Sequence, residues 1–232
     1  MTSVAKFVLG IWLTAVSVAA LVFPIVPVPE HWYDFPVIPG LEHKARIMFF
    51  HVPMAWVTTL AFVVSLVYAV RYLRGKNLDD DMKSAVSAGL GLLFCILATV
   101  TGSIWARFNW GSFWNWDPRQ TSIFALMLIY GAYFALRSAL DVDEKKATLS
   151  AAYAIIAGVT VPFFIFVMPR ILPGLHPGSQ GSGDSGPLMG GTINSTMRVV
   201  FYASLAGFTA LYFWMFNLRV RLQRLAGTGG GR

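Results

Sequence analysis

Residues 110–121 read WGSFWNWDPRQT and lie between two apolar blocks, at about 84–107 and 121–140. Half of the eight tryptophans of the chain fall in or just before this stretch: Trp105, Trp110, Trp114 and Trp116. Each flanking block is long enough to cross a bilayer, which takes about 20 apolar residues. The stretch therefore predicts an aromatic surface between two transmembrane helices, at one face of a membrane protein.

The composition of the whole chain agrees with a membrane location. Of the 232 residues, 56% are hydrophobic and 12% are charged, whereas a soluble domain carries roughly 25% charged residues. Six apolar blocks each predict a membrane-spanning helix, at about 5–28, 50–70, 84–107, 121–140, 147–169 and 196–218. The sequence thus predicts an all-α integral membrane protein with six transmembrane helices and the lipid bilayer as its surroundings.

The basic residues indicate the orientation of these helices. If the N-terminus is cytoplasmic, then Lys6, the loops 71–83 and 137–146 and the tail from Arg219 hold most of the 18 lysines and arginines on the inner side. The positive-inside rule then predicts that both termini are cytoplasmic and that the tryptophan-rich stretch is outside. The net charge of +7 is explained by this topology, so we expect no nucleic-acid partner.

Turn-forming residues divide the chain further. We expect one six-helix domain at 1–225, with a tryptophan-rich outer loop at 105–121, a Gly/Ser/Pro-rich outer loop at 171–195 and a flexible cytoplasmic tail at 226–232. Two of the prolines within the apolar blocks bear on helix geometry. Pro53 suits the first turn of the second helix, where no N–H is needed, and Pro162 should kink the fifth helix.

Tryptophans at one loop have two interpretations. Tryptophan favours the headgroup level of any membrane protein, but an aromatic belt is spread over all helices, whereas these residues are concentrated in one segment. A concentrated set favours a platform for a large, flat ligand. Asp117 and Arg119, which follow the tryptophans, could pair with each other, or Arg119 could receive a carboxylate of the ligand.

Two of the four histidines fall at the ends of apolar blocks on the predicted outer side. His51 opens the second helix and His176 follows the fifth. A lone histidine is usually a structural residue, but two imidazoles beside an aromatic floor suit a planar metal cofactor with one ligand on each face. His31 and His43 lie in a more polar loop, and we expect them on the surface. The acidic run 79–81 is expected to be a solvated inner loop.

The stretch 110–121 resembles the tryptophan-rich WWD signature of haem-handling membrane proteins, and most closely that of the haem exporter protein C (CcmC) family of cytochrome c maturation. The resemblance extends to His-Val-Pro-Met-Ala-Trp at 51–56, to Arg46 and to Leu175-His176. It implies that His51 and His176 are the axial ligands of a transiently bound haem b. It further implies that Trp110, Trp114, Trp116 and Asp117 form the haem platform, and that Arg119 and Arg46 contact haem or its acceptor.

The same resemblance implies a function without enzymatic catalysis. The protein would present haem at the periplasmic face of the bacterial inner membrane and pass it to a membrane-anchored haem chaperone. Its other partners would be the permease, the ATPase and the small single-helix subunit of an ABC-type transporter complex, since the chain has no Gly-x-x-x-x-Gly-Lys-Ser/Thr motif of its own.

Two other classes stay open from the residues alone. A small-molecule permease would use the tryptophans merely as interface anchors, and it would need polar or broken helices near the bilayer midplane. A membrane-embedded enzyme would use His51 or His176 as a base and would need a carboxylate at the same depth, for which Asp117 is the candidate. Haem bound to the purified protein would distinguish haem presentation from both the permease and the enzyme.

Overall fold

The computed structural model describes residues 2–179 and 191–229. Its long helices are α1 (Ser3–Val22), α2 (Met48–Gly75), α3 (Leu78–Trp110), α4 (Pro118–Ser138), α5 (Asp143–Pro162) and α7 (Ser195–Gly229). A 3-10 helix (Glu42–Ile47) precedes α2, and a π-helix (Phe163–Val167) and the short α6 (Met168–Ile171) continue α5. Within the described residues, six helical segments are long and apolar enough to cross a membrane, which confirms the prediction of a six-helix membrane protein.

Helices α2 and α3 form the centre of the bundle. One apolar cluster joins them to α4 and α5 through buried residues such as Phe62 and Tyr130, whose rings stack face to face. A second cluster joins them to α7 through Tyr212. Glycine permits the closest approach: a Cβ on Gly91 would lie 2.5 Å from the ring of Phe62. Small residues at such crossings let membrane helices pack tightly without a hydrophobic driving force.

Helix α1 lies at the edge of the bundle, packed on α7. Trp12 donates its indole N–H to the carbonyl of Ala203 at 3.0 Å, and a Cβ on Gly207 would lie 2.8 Å from Leu13. Helix α1 ends at Val22, short of the predicted residue 28. The chain then forms a two-residue parallel pair, β1 (Ile25–Val26) with β2 (Phe35–Pro36), which the sequence did not predict.

Pro53 lies inside α2 rather than in its first turn, because the helix begins at Met48. A proline in a helix leaves the carbonyl four residues earlier without its N–H donor, and here that carbonyl belongs to Phe49. Ser204 of α7 supplies the replacement, since its hydroxyl donates to the Phe49 carbonyl. Neighbouring helices often satisfy membrane backbone groups in this way.

The predicted break at Pro162 takes the form of a change of helix type. Helix α5 ends at this proline and the chain continues as the π-helix Phe163–Val167 before returning to α-helix in α6. Such single-turn π segments are frequent at functional sites. Three residues of this stretch, Phe164, Ile165 and Phe166, line the cavity described below.

The two ends of the bundle differ in character, and we name them by their residues. The aspartate end carries Asp79, Asp80 and Asp81 in the first turn of α3. The histidine end carries His51, His176 and the stretch 105–121.

Helix α7 runs beyond Leu225 to Gly229, past the point where the sequence predicts a flexible tail. Residues 230–232, and the section 180–190 of the predicted Gly/Ser/Pro-rich loop, lie outside the described residues.

Ion pairs tie the aspartate end together, which corrects the expectation that the run 79–81 is a solvated loop. Asp80 and Asp81 are buried. Three basic residues from three other helices reach the run: Arg71 to Asp80, Arg137 to Asp81 and Arg224 to Asp79. The first turn of α3 therefore joins α2, α4 and α7 at this end.

Candidate functional site

A cavity of about 610 Å³ opens at the histidine end, within the range of about 300–1,000 Å³ of small-molecule sites. Its walls come from α2, α3, the beginning of α4, the π-helix and the chain after α6. Both His51 and His176 line it, together with Trp114 and Arg119. The structure thus brings His51 and His176, which are far apart in the sequence, to the same cavity.

His51 reaches the cavity from the first turn of α2. Its Nδ1 lies 3.1 Å from the hydroxyl oxygen of Thr101 on α3. The imidazole also lies directly against the backbone of α3, because a Cβ on Gly102 would be 2.7 Å from the Cε1 atom of His51. Thr101 and Gly102 therefore form the support of this ring, and sequence reasoning selected neither.

His176 reaches the same cavity from the segment after α6, and Asp117 holds it. The Nδ1 of His176 lies 2.7 Å from a carboxylate oxygen of Asp117. The same carboxylate accepts the backbone N–H of Leu175 at 2.7 Å and that of Arg119 at 2.9 Å. A Cβ on Gly174 would lie 2.8 Å from Asp117, so a glycine is needed for this close approach.

Asp117 serves three purposes at once. It is the N-cap of α4, it fastens the segment at 174–176 and it is the acceptor for His176. Burial alone would raise the pKa of Asp117, but the hydrogen bond and charge of His176 and the N–H groups of Arg119 and Leu175 outweigh burial and lower the pKa to about 2. The carboxylate is therefore ionised at neutral pH and can only accept, so Nδ1 of His176 must carry the hydrogen.

Two of the four tryptophans contact the ring of His176, and the four do not belong to one loop. Trp105 and Trp110 belong to the last turns of α3 and contact the His176 ring, with centroids 6.0 and 4.7 Å away. Trp105 also donates to the carbonyl of Lys44 at 3.1 Å. Of the four tryptophans, Trp105 and Trp114 line the cavity, and Trp114 packs edge-to-face on Trp116.

Trp116 points away from the bundle, with 68% of its surface exposed. Its backbone has φ of +55°, a left-handed conformation that is uncommon for a bulky residue and recurs at functional sites. Gln120 holds the loop before it: the side-chain oxygen accepts from the Asn115 N–H at 2.8 Å, and the amide nitrogen donates to the Phe113 carbonyl at 3.4 Å. The polar residue at 120 thus fixes the shape of the loop.

The two predicted arginines occupy different places. Arg119 lines the cavity, and its Nε is buried without a hydrogen-bond partner among the described residues. Arg46 instead donates to the carbonyls of Ala20 and Phe23 at 2.6 and 2.7 Å, so it caps the end of α1. Contact of Arg46 with a ligand stays a prediction, and its guanidinium is engaged elsewhere in this structure.

The remaining histidines lie where the sequence placed them. His31 pairs with Asp34 at 3.2 Å and is 60% exposed at its side chain, and His43 is exposed on the 3-10 helix. Neither lines the cavity. Among the described residues no group of three or more His, Cys, Asp or Glu side chains could hold a bare metal ion.

Fold and site together define a multi-pass membrane protein with an aromatic, imidazole-lined cavity at one end of its helix bundle. Comparison with known families gives the more particular assignment. The chain matches the family model described as "Heme exporter protein C" over residues 4–228, and it belongs to that family. Membership makes it a haem-handling membrane subunit of the cytochrome c maturation type.

Individual relatives agree along most of the chain. It is 27% identical to heme exporter protein C of Rhodobacter capsulatus over 214 residues, which are 91% of this chain and 85% of the relative. The protein of the same name from Paracoccus denitrificans is 28% identical, over 77% of this chain and 72% of its own. That from Escherichia coli K12 is 30% identical, over 76% and 69%.

Proposed function

We propose that the protein binds haem b between His51 and His176 at the periplasmic face of the inner membrane and transfers it to a membrane-anchored haem chaperone. The observation that carries the proposal is the position of the two imidazoles and the contacts of their Nδ1 atoms. Each lines the same cavity, and each has its Nδ1 within hydrogen-bond distance of a protein oxygen, on Thr101 and Asp117. Haem-ligating and metal-ligating histidines generally bond through one nitrogen while an acceptor orients the other.

The remainder of the lining suits haem as cargo. Aromatic rings and aliphatic side chains offer the faces that a macrocycle needs. Arg119, with its unpartnered buried Nε, and Arg170 both line the cavity, and two cations match the two propionates of haem. The two imidazoles would hold the haem iron, Arg119 and Arg170 would form a cationic edge, and the aromatic side chains would form a wall.

The proposed handover follows from the exposure of the tryptophan segment. A cargo site must release its ligand, and release rates account for most differences in affinity. Trp116 and Phe113 are largely exposed beside the cavity, so a chaperone can contact this rim while haem is still ligated. We assign the chain no catalytic group; partner permease, ATPase and single-helix subunits would supply the energy for releasing the loaded chaperone.

An absorption spectrum of the purified protein, reconstituted with hemin, tests the haem site. We expect a Soret band of six-coordinate haem for the wild type and a shifted or lost band for His51→Ala and His176→Ala. His43→Ala is the matched control, since that histidine is exposed and does not line the cavity, and its spectrum should equal that of the wild type. If the wild type fails to bind added hemin, the proposed haem site is wrong and the permease interpretation is favoured.

Cysteine labelling tests the orientation. Cys95 is the one cysteine of the sequence and is buried, so single introduced cysteines can be read without background. In intact spheroplasts, a membrane-impermeant maleimide should label Glu42→Cys, which lies at the histidine end of the bundle. It should label Lys76→Cys, near the aspartate end, only after the spheroplasts are lysed. The reverse pattern would place the haem site in the cytoplasm and exclude periplasmic presentation.

A chaperone experiment tests the transfer. The haem-loaded protein is mixed with its membrane-anchored acceptor, and haem on each partner is followed in time. We expect haem to leave faster in the presence of the acceptor, and Trp116→Ala to slow this acceleration with little change in the spectrum of the donor alone. Equal haem lifetimes with and without the acceptor would contradict handover and leave haem binding intact.

A further inference from the structure

We propose that Thr101 is a positioning residue, which holds His51 in the Nδ1–H tautomer and so keeps the Nε2 lone pair for the iron. The inference rests on the proposed function, because it concerns the same haem site. It names a side chain within an apolar helix, remote in sequence from both histidines.

The hydroxyl of Thr101 has a single hydrogen to donate. Thr101 Oγ1 lies 2.8 Å from the carbonyl of Leu97 and 3.1 Å from that of Ala98. Carbonyl oxygens can only accept, so the hydroxyl hydrogen is directed at its own helix, as is usual for threonine within a membrane helix. The oxygen lone pairs are then what Thr101 offers to its other neighbour.

That neighbour is the Nδ1 of His51, at 3.1 Å. A lone pair on Thr101 requires an N–H on Nδ1, and a neutral imidazole with a hydrogen on Nδ1 has its lone pair on Nε2. The opposite tautomer would place two lone pairs against each other at this distance. The hydroxyl of Thr101 therefore selects the form of His51 that can bind a metal through Nε2.

Gly102 supplies the second constraint on the same ring. A Cβ at residue 102 would be 2.7 Å from Cε1 of His51, and 3.4 and 3.5 Å from its two nitrogens. The ring edge that carries Cε1 thus rests against α3, next to the hydroxyl that binds Nδ1. Thr101 and Gly102, which are adjacent on α3, thus fix the tautomer and the position of the His51 imidazole.

His176 reaches the same electronic state by different means. Its Nδ1 lies 2.7 Å from a carboxylate oxygen of Asp117, and the same carboxylate also accepts the N–H groups of Leu175 and Arg119. Both histidines are therefore prepared with the hydrogen on Nδ1, one by a carboxylate and the other by a hydroxyl whose own hydrogen is already used. This agreement between two unrelated supports is the reason to assign Thr101 to the site rather than to helix packing.

Nuclear magnetic resonance of histidine-labelled protein in nanodiscs, without haem, tests the tautomer directly. The His51 signal is assigned by its loss in His51→Ala. We expect the Nδ1–H form in the wild type, a shift to Nε2–H in Thr101→Val, which keeps the shape and removes the hydroxyl, and a return to Nδ1–H in Thr101→Ser. Thr58→Val is the control, because the Thr58 hydroxyl bonds only its own helix carbonyl, at Met54.

The same variants are then titrated with hemin. Thr101→Val should weaken haem binding about 10–100-fold, the usual effect of removing a group that orients a metal-ligating histidine, and should raise the fraction of high-spin haem; Thr101→Ser should restore both. Nε2–H in the wild type, or an unchanged tautomer in Thr101→Val, would overturn the inference even if haem binds. A wild type with the Thr101-dependent tautomer and no haem binding would instead overturn the proposed function and the role toward iron with it.

Discussion

The two ends of the helix bundle use charged and polar residues in opposite ways. At the aspartate end the three acidic side chains each meet a basic partner on another helix. At the histidine end two imidazoles face a cavity and are oriented by hydrogen bonds, while the Nε of Arg119 beside them has no partner among the described residues. Burying polar groups in a membrane is costly in both cases; one end uses them to hold helices together, and the other keeps bonding capacity for a ligand.

The largest effect is expected from breaking the most enclosed pair of the aspartate end. Arg137 binds Asp81 through two hydrogen bonds of 2.7 and 2.9 Å, and both side chains are mostly buried. Removing one partner leaves a buried charge, so Asp81→Ala should lower the free energy of unfolding by about 3–5 kcal/mol. Unfolding in detergent with added denaturant measures it. The haem spectrum of the folded fraction should be unchanged, and a changed spectrum would show that the two ends are not separate.

The converse change is Asp117→Asn at the histidine end. An amide can offer N–H groups to Nδ1 of His176, which favours the wrong tautomer and weakens the tie to Leu175. Haem affinity should fall about 10–100-fold. The free energy of unfolding should fall by about 1 kcal/mol, since asparagine still caps a helix well. Hemin titration and unfolding are compared on the same samples, and a loss of stability as large as that of Asp81→Ala would erase the contrast between the ends.

A methyl group at Gly102 sharpens the comparison without touching any charge. Gly102→Ala should displace the His51 ring, because the new Cβ would lie 2.7 Å from Cε1. Overpacking of this kind costs about 1–3 kcal/mol, and here we expect most of it in haem binding. Gly131→Ala on α4 is the matched control, since a Cβ there has nothing within 4 Å. Equal hemin affinity of the two variants would contradict the placement of His51.

The smallest effect is expected where the aspartate end meets water. Arg224 binds Asp79 at 2.8 Å, but its side chain is 52% exposed, and solvent screens such pairs. Arg224→Gln should change the free energy of unfolding by less than about 1 kcal/mol, with haem binding unaltered. A loss comparable to that of Asp81→Ala would mean that burial is not what gives this end its strength.

The sequence predicts the spans well because hydropathy is a local property. Their ends are less predictable: Pro53 was expected in a first turn, and the helix begins five residues before it since the chain is already coiled in the 3-10 helix. The run 79–81 on its own predicts a solvated loop, because its basic partners lie 9, 56 and 145 residues away and only packing brings them together. Three-dimensional partners of this kind leave no local signal.

The site divides in the same way. His51, His176 and the tryptophan stretch carry local patterns that a reader of the sequence can select. Thr101 and Gly102 carry none, because a threonine bonded to its own helix and a glycine at a crossing are ordinary in membrane helices. Their role depends on which ring lies opposite them, and that is settled by how α2 packs on α3.

The carbonyl freed by Pro53 has a consequence for the height of His51 along the bundle. Phe49, whose carbonyl Ser204 holds, stands two residues before the histidine, and α7 in turn is the helix on which α1 rests. The position of the His51 imidazole along the bundle axis therefore depends on the outer helices α1 and α7 as well as on α3. A tilt of that outer pair would raise or lower one imidazole while the other stays anchored to α4.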